Sequence, residues 1–179
     1  HCVNSISLKF VPDIKKDKKS METAIFAGGC FWGVEHLFKN HEGVLDLEVG
    51  YIGGHKTNPT YKEICYENTG HAEAIKIEYD ANVVNFKELA KLFFEIHDPT
   101  QKDRQGPDIG DQYRSEIFYT NESQKRISLE LIDILRTKGL DVVTAVTESS
   151  TFWPAENYHQ DYYAKTGGTP YCHVYTKRF

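Results

Sequence analysis

The sequence predicts an α+β two-layer sandwich of the ferredoxin-like kind. Three observations support this: strands of period-two hydrophobicity, amphipathic helical segments between them, and the order in which the two alternate. From residue 23 onward that order is strand, helix, strand, strand, helix, strand, helix, strand. It implies a mixed, mostly antiparallel sheet with helices packed on it, followed by a long irregular C-terminal tail. "TAIFAG" is a short apolar strand ended by Gly28 and Gly29, and from Phe31 the spacing turns helical, with Phe31, Val34, Leu37 and Phe38 on one face. In "VLDLEVGYI", Leu45, Leu47, Val49 and Tyr51 share a side, and "GGHKTNPT" then breaks into a loop. "HAEAIKIEYD" sends Ile75, Ile77 and Tyr79 one way and Lys76, Glu78 and Asp80 the other. "NFKELAKLFFEIH" reads as a helix with Asn85 as N-cap and Glu88 three residues on. A long polar stretch, "DPTQKDRQGPDIGDQYRS", follows; loops of this length inside a compact domain are commonly functional or disordered. The strand "EIFYT", the helix "ESQKRISLELIDILRTKG" and the strand "DVVTAVTES" complete the regular part. The aromatic-rich tail holds one short helix before an extended end.

The chain has 179 residues, 40% hydrophobic and 26% charged, which suits one core. Residues 11–22, with a proline and a run of lysines, read as a linker, and residues 23–179 as the folded domain. A net charge of −5 provides no basic footprint for nucleic acid, and "KKDKK" is too short and local to supply one. No apolar stretch approaches membrane-spanning length, and the first residues do not form a signal peptide. The four cysteines lack Cys-x-x-Cys spacing and do not form a disulfide framework. The histidines are scattered, which argues against a structural metal site.

Two residues stand out chemically. Cys30 precedes the first helical residues, where unpaired N–H groups and the helix dipole favour an anion, so its thiol is expected to have a depressed pKa and to act as a nucleophile. The alternative is a small buried hydrophobe. Gly28 and Gly29 favour the functional reading, because they let a ligand approach the backbone. Phe31 and Trp32 are either core or an apolar cage for a methyl-sized group. Period-two counting puts Glu73 on the apolar side of its strand, where burial raises a carboxyl pKa and makes it a proton donor near neutral pH. Otherwise Glu73 is a strand-end residue that reaches water or pairs with a lysine.

"GGCFWGVE", "GGHKTNPTYKEIC", "TGHAEAIKIEYD", "HDPTQKDRQGPDIGDQYRS" and "ENYHQDYY", in this order and spacing, resemble peptide-methionine sulfoxide reductase A, and the resemblance covers residues 23–179. It implies reduction of the S epimer of methionine sulfoxide, free or in oxidised proteins, without metal or organic cofactor and with thioredoxin as reductant. Under this resemblance Cys30 is the nucleophile that becomes a sulfenic acid, and Glu73 is the proton donor to the sulfoxide oxygen. Tyr61 and Tyr113 are hydroxyls that hydrogen-bond that oxygen, where they could otherwise be ordinary surface tyrosines. Phe31 and Trp32 hold the substrate methyl, and Asp108 supports the site. Cys172, in "PYCHVY", matches the resolving cysteine on a mobile tail, with a buried structural thiol as the rival reading. "TGGTPYC" departs from the family's more usual Asn-Pro-x-Gly-Tyr-Cys, and Cys65 falls where the family uses no redox thiol.

"HCVNSISLKF" resembles the terminal strand motif of methionine sulfoxide reductase B, whose cysteine is that enzyme's nucleophile. Cys2 would be that residue, and residues 1–10 a remnant of a preceding reductase B domain in a fusion chain. Two other classes compete with the reductase reading. A thiol peroxidase would not need the methyl cage or the carboxyl group on the apolar face. A redox-sensing domain would keep the fold without turnover.

Overall fold

The computed structural model describes residues 20–179; Cys2, the proposed remnant at residues 1–10 and most of the linker lie outside the described residues. Eight strands and five helices follow one another as β1 Met21–Gly28, α1 Phe31–Phe38, β2 Val44–Ile52, α2 Tyr61–Tyr66, β3 Ala72–Asp80, α3 Phe86–Ile96, β4 Arg104–Gln105, β5 Asp108–Ile109, β6 Ser115–Tyr119, α4 Glu122–Thr137, β7 Ala145–Glu148, β8 Trp153–Pro154 and α5 Tyr162–Thr166. Six strands form one mixed sheet in the order β7-β6-β1-β3-β2-β8, and β4 pairs with β5 in a separate hairpin. Every pairing in the large sheet is antiparallel except β6 with β7, which α4 connects as a crossover.

The sheet buries both faces unequally. On one face Ala24, Phe26, Val49, Tyr51, Ile75 and Ile77 pack with Val34 and Phe38 of α1, Leu89 and Phe93 of α3, and Leu131 and Leu135 of α4. These three helices therefore share one side, as the alternation of elements predicts. Phe26 stacks on Phe93 at 4.9 Å and on Phe38 at 5.8 Å, contacts worth roughly 0.5–1.5 kcal/mol each beyond area burial. The opposite face carries the smaller cluster Ile25, Ala27, Ile52, Ala72, Ala74 and Phe118, with Phe152 packed against it.

α3 starts as its sequence predicts: the Asn85 side chain accepts from the Glu88 N–H and the Glu88 carboxylate from the Asn85 N–H. The same capping box, with Thr60 and Glu63, starts α2, an element that the periodicity does not predict. The Thr-x-x-Glu signal was present, but at six residues α2 is too short for hydrophobic periodicity to reveal it.

Two further expectations need correction, and one open alternative is resolved. Leu45 is 40% exposed, although counting from Val49 places it on the buried side. A register shift between Val44 and Asp46 inserts a residue there, so Val44 pairs opposite Tyr79 and takes the inward position. β1 begins at Met21, inside the stretch read as linker, because β3 runs on to Asp80 and pairs with it. The polar stretch before β6 is built rather than loose. The Gln105 side chain accepts from the Asp98 N–H and donates to the Asp98 carbonyl, both at 3.0 Å, and Gln101 accepts from the Gly106 N–H at 2.8 Å.

Beyond α5, residues 167–179 form no regular element but are pinned to the helical layer. The Thr176 N–H donates to the Glu95 carbonyl at 2.7 Å, and Arg178 Nε to the Phe94 carbonyl at 2.8 Å. Phe179 packs against the core beside Phe94. Among the described residues no helix is long and apolar enough to cross a membrane.

Candidate active site

Cys30 is the N-cap residue of α1 and is 6% exposed. β1 delivers it: the strand ends at Gly28, and Gly29 turns the chain at φ +95°, a conformation favoured by glycine. In the structure the space beside Gly28 and Gly29 is taken up by packing. A Cβ on Gly28 would lie 2.9 Å from the Phe93 ring, and one on Gly29 2.6 Å from Gln105 Cβ.

Glu73 reaches the same point from the neighbouring strand. β1 pairs with β3 up to Phe26 opposite Ile75, and that register carried two residues further sets Glu73 beside Gly28. Its side chain is 1% exposed, and Oε2 accepts from the Phe31 N–H at 3.2 Å, at the residue after Cys30. Oε1 is buried and has no partner. Burial, and then the proximity of Cys30, hold the carboxyl well above its ordinary range, with the Phe31 N–H pulling weakly the other way. Burial therefore favours the neutral carboxylic acid, the form that can donate a proton.

Cys30 does not behave as its N-cap position alone predicts. The Cys172 thiol, as a hydrogen-bonding neighbour, and then burial push the Cys30 thiol up, while the Trp32 and Gly33 N–H groups pull it down. The expected depression is thus reversed while Cys172 lies on Cys30. No disulfide joins them: Cys30, Cys65 and Cys172 are all free.

Phe31 is buried in the core, 5.7 Å from Tyr51 and 5.3 Å from His159 between ring centres. Trp32 is half-buried, with the Tyr162 ring stacked on it at 3.7 Å. Its Nε1–H donates to His159 Nδ1 at 3.0 Å, which leaves the proton of the neutral imidazole on Nε2, 3.2 Å from Glu156 Oε2. Glu156 also accepts from the Tyr61 N–H at 2.9 Å and from the Tyr51 hydroxyl at 3.3 Å. The hydrogen bond to His159 orients the Trp32 indole, and His159 Nε2 sits beside Glu156 without a hydrogen bond joining the two. None of Glu156, His159 and Tyr162 was assigned a role from sequence. "ENYHQDYY" stood out for its aromatic density and as a family motif, but neither signal shows what these side chains touch, since their partners at Trp32, Tyr51 and Tyr61 lie about a hundred residues away in the chain.

Tyr61 and Tyr113 are half-buried rather than ordinary surface tyrosines, and burial followed by the Glu73 charge pushes both phenols up, so both remain hydroxyl donors. Tyr61 opens α2, and Tyr113 closes a 3-10 turn, Asp111–Tyr113. Asp108, in β5, accepts from the Tyr171 hydroxyl at 3.3 Å through Oδ1 and has a buried, unpartnered Oδ2. Cys65, on α2, neighbours the Tyr61 hydroxyl. Among the described residues no group of three or more His, Cys, Asp and Glu side chains is arranged to hold a metal ion.

A buried thiol at a helix start, a buried carboxyl beside it and a second thiol within reach define a thiol-dependent oxidoreductase site. The model of the family described as peptide methionine sulfoxide reductase matches residues 22–179. The chain belongs to that family. It is 51% identical to the peptide methionine sulfoxide reductase MsrA of Nautilia profundicola over 152 residues, 85% of this chain and 88% of that protein. It superimposes on reduced Mxr1 from Saccharomyces cerevisiae with a TM-score of 0.83 at 32% identity, covering 92% of this chain and 97% of the yeast chain. Mxr1 has also been solved in complex with Trx2; to that structure the TM-score is 0.60 at 24% identity, covering 92% and 96% of the two chains.

Proposed function

We propose that the chain reduces the S epimer of methionine sulfoxide, free or in oxidised proteins, with Cys30 as nucleophile and Glu73 as acid. The observation that carries this reading is the buried, half-partnered Glu73 carboxyl held by the Phe31 N–H next to Cys30, in surroundings that favour its neutral form. A sulfoxide oxygen leaves only when protonated, so thiol and acid must share a pocket and differ in protonation. Cys30 attacks the sulfoxide sulfur while Glu73 protonates the oxygen, with the Tyr61 and Tyr113 hydroxyls hydrogen-bonded to it. Phe31 and Trp32 flank the methyl group, and Asp108 supports the pocket. The products are methionine and a Cys30 sulfenic acid. Attack on substrate requires Cys172 to move off Cys30, and its return forms a Cys30–Cys172 disulfide.

Thioredoxin then reduces that disulfide; the Mxr1 complex with Trx2 supports this choice of partner. The chemistry needs no metal or organic cofactor. We read the connectivity β1-α1-β2-β3-α3-β6, with central strand order β6-β1-β3-β2, as a ferredoxin-like core. The folded domain is residues 23–179 extended to Met21, residues 11–20 are linker, and the motif at residues 1–10 supports a preceding reductase B domain with Cys2 as its nucleophile.

The test is turnover of the separated S and R epimers of a blocked methionine sulfoxide, with dithiothreitol and then with thioredoxin. Reduction of the S epimer alone, by both reductants, is expected. Equal turnover of hydrogen peroxide would favour the peroxidase reading, and absence of turnover on either epimer would favour a sensor.

A further inference from the structure

His173 follows Cys172 directly, is 6% exposed, and has no part in the reaction as described so far. Its Nε2 lies 2.8 Å from the Gly28 carbonyl. A carbonyl only accepts, so Nε2 carries the proton and Nδ1 keeps its lone pair. That Nδ1 lies 3.1 Å from Cys172 Sγ. The ring is held in place by the motif around Cys30: a Cβ on Gly33 would sit 2.2 Å from His173 Nδ1, and one on Gly29 3.3 Å from Nε2. Gly33 lies inside α1, where glycine is disfavoured relative to alanine, and the imagined Cβ shows that its place is taken by the imidazole. The glycines flanking Cys30 thus form a seat for an imidazole whose free nitrogen faces the second thiol, and that thiol in turn lies against Cys30.

We infer that His173 is the general base of the disulfide-forming step, taking the proton from Cys172 through Nδ1 so that the thiolate attacks the Cys30 sulfenic acid. The inference rests on Cys172 being the resolving cysteine. The step balances: the Cys172 S–H proton moves to His173, the S–S bond forms as the Cys30 S–O bond breaks, and the departing hydroxide takes the proton from His173 and leaves as water. Cys172 sulfur is oxidised and Cys30 sulfur is reduced. Burial holds the imidazole below its ordinary pKa, opposed by the Gly28 carbonyl and the Asp108 charge, so the base form is present at neutral pH. The titratable groups facing the pair are Cys30, His97 from the end of α3, Asp108 from β5, Tyr163 from α5 and Tyr171.

The experiment is a single turnover. Reduced protein without external thiol is mixed rapidly with methionine sulfoxide and quenched over time. Methionine, the Cys30–Cys172 disulfide and dimedone-trapped Cys30 sulfenic acid are then counted by mass spectrometry. In His173→Gln, disulfide formation is expected to slow about 10²-fold more than methionine formation at pH 7, with sulfenic acid accumulating. That gap should narrow toward pH 9, since thiols ionise unaided at about 8.5. In His173→Ala, added imidazole should restore disulfide formation. The inference is overturned if disulfide keeps pace with methionine in both variants, if the gap is the same at pH 9, or if both steps fall together and imidazole restores neither. Cys172→Ser separates the two readings. A Cys30 disulfide that still forms without Cys172 overturns the resolver assignment, whereas its loss there alongside full-rate closure in His173→Gln overturns only the role of His173.

Discussion

Cys30→Ser should abolish methionine sulfoxide reduction, with a fall of roughly 10⁴-fold or more whichever reductant is supplied, because a hydroxyl at that position cannot accept the oxygen as a sulfenic acid and be recycled by thiols. The measurement is methionine released per enzyme with dithiothreitol in excess; turnover within tenfold of the parent protein would remove Cys30 from the mechanism. The same site gives a second readout. Cys172 is the largest influence raising the Cys30 thiol, and the Trp32 and Gly33 N–H groups oppose it. Removing the second thiol in Cys172→Ala should therefore lower the Cys30 pKa and speed its alkylation by iodoacetamide at neutral pH. Unchanged alkylation would mean that burial and the helix terminus, and not Cys172, govern the thiol, and slower alkylation would mean that Cys172 activates it.

Glu73→Gln should reduce turnover by about 10²–10⁴-fold, the usual contribution of a positioned general acid, while leaving the fold intact. The amide oxygen of glutamine can still accept from the Phe31 N–H, so the contact that holds the side chain is kept and only the proton donor is lost. The pH dependence has a definite sign. The folded-state carboxyl titrates well above its ordinary value of 4.5, so the folded protein holds this proton where the unfolded chain has released it. Stability from this group is complete below that value and declines as pH rises through the folded-state pKa. Wild-type turnover should decline over the same upper limb as the acid deprotonates. Glu73→Gln lacks both slopes and should be at least as stable as the parent at pH 7, by thermal unfolding. A variant of equal activity would remove Glu73 as the acid, and one that unfolds would show that Glu73 is structural.

Much of this was legible in the chain. Periodicity placed β1, α1, β3, α3, β6 and α4 within a few residues, because strand and helix faces are imprinted at short range by burial. Glu73 was visible as a carboxyl interrupting Ile75, Ile77 and Tyr79, and Cys30 as a thiol at a strand-to-helix junction. The bulge at Leu45 was not legible, since period counting assumes a register that β2 breaks against β3.

The sequence by itself determined the alternation of elements, the motifs that carry the family and the candidates for the reacting thiol and acid, all of which depend on residue type and local spacing. The tertiary structure alone decided which groups meet: β1–β3 register brings Glu73 to the Phe31 N–H, and the tail carries Cys172 and His173 back to Gly28 and Gly33. It also decided the sign of the Cys30 shift. A helix N-terminus favours the thiolate wherever it occurs, but desolvation and a second thiol are set by what the folded chain brings alongside, and here they outweigh it.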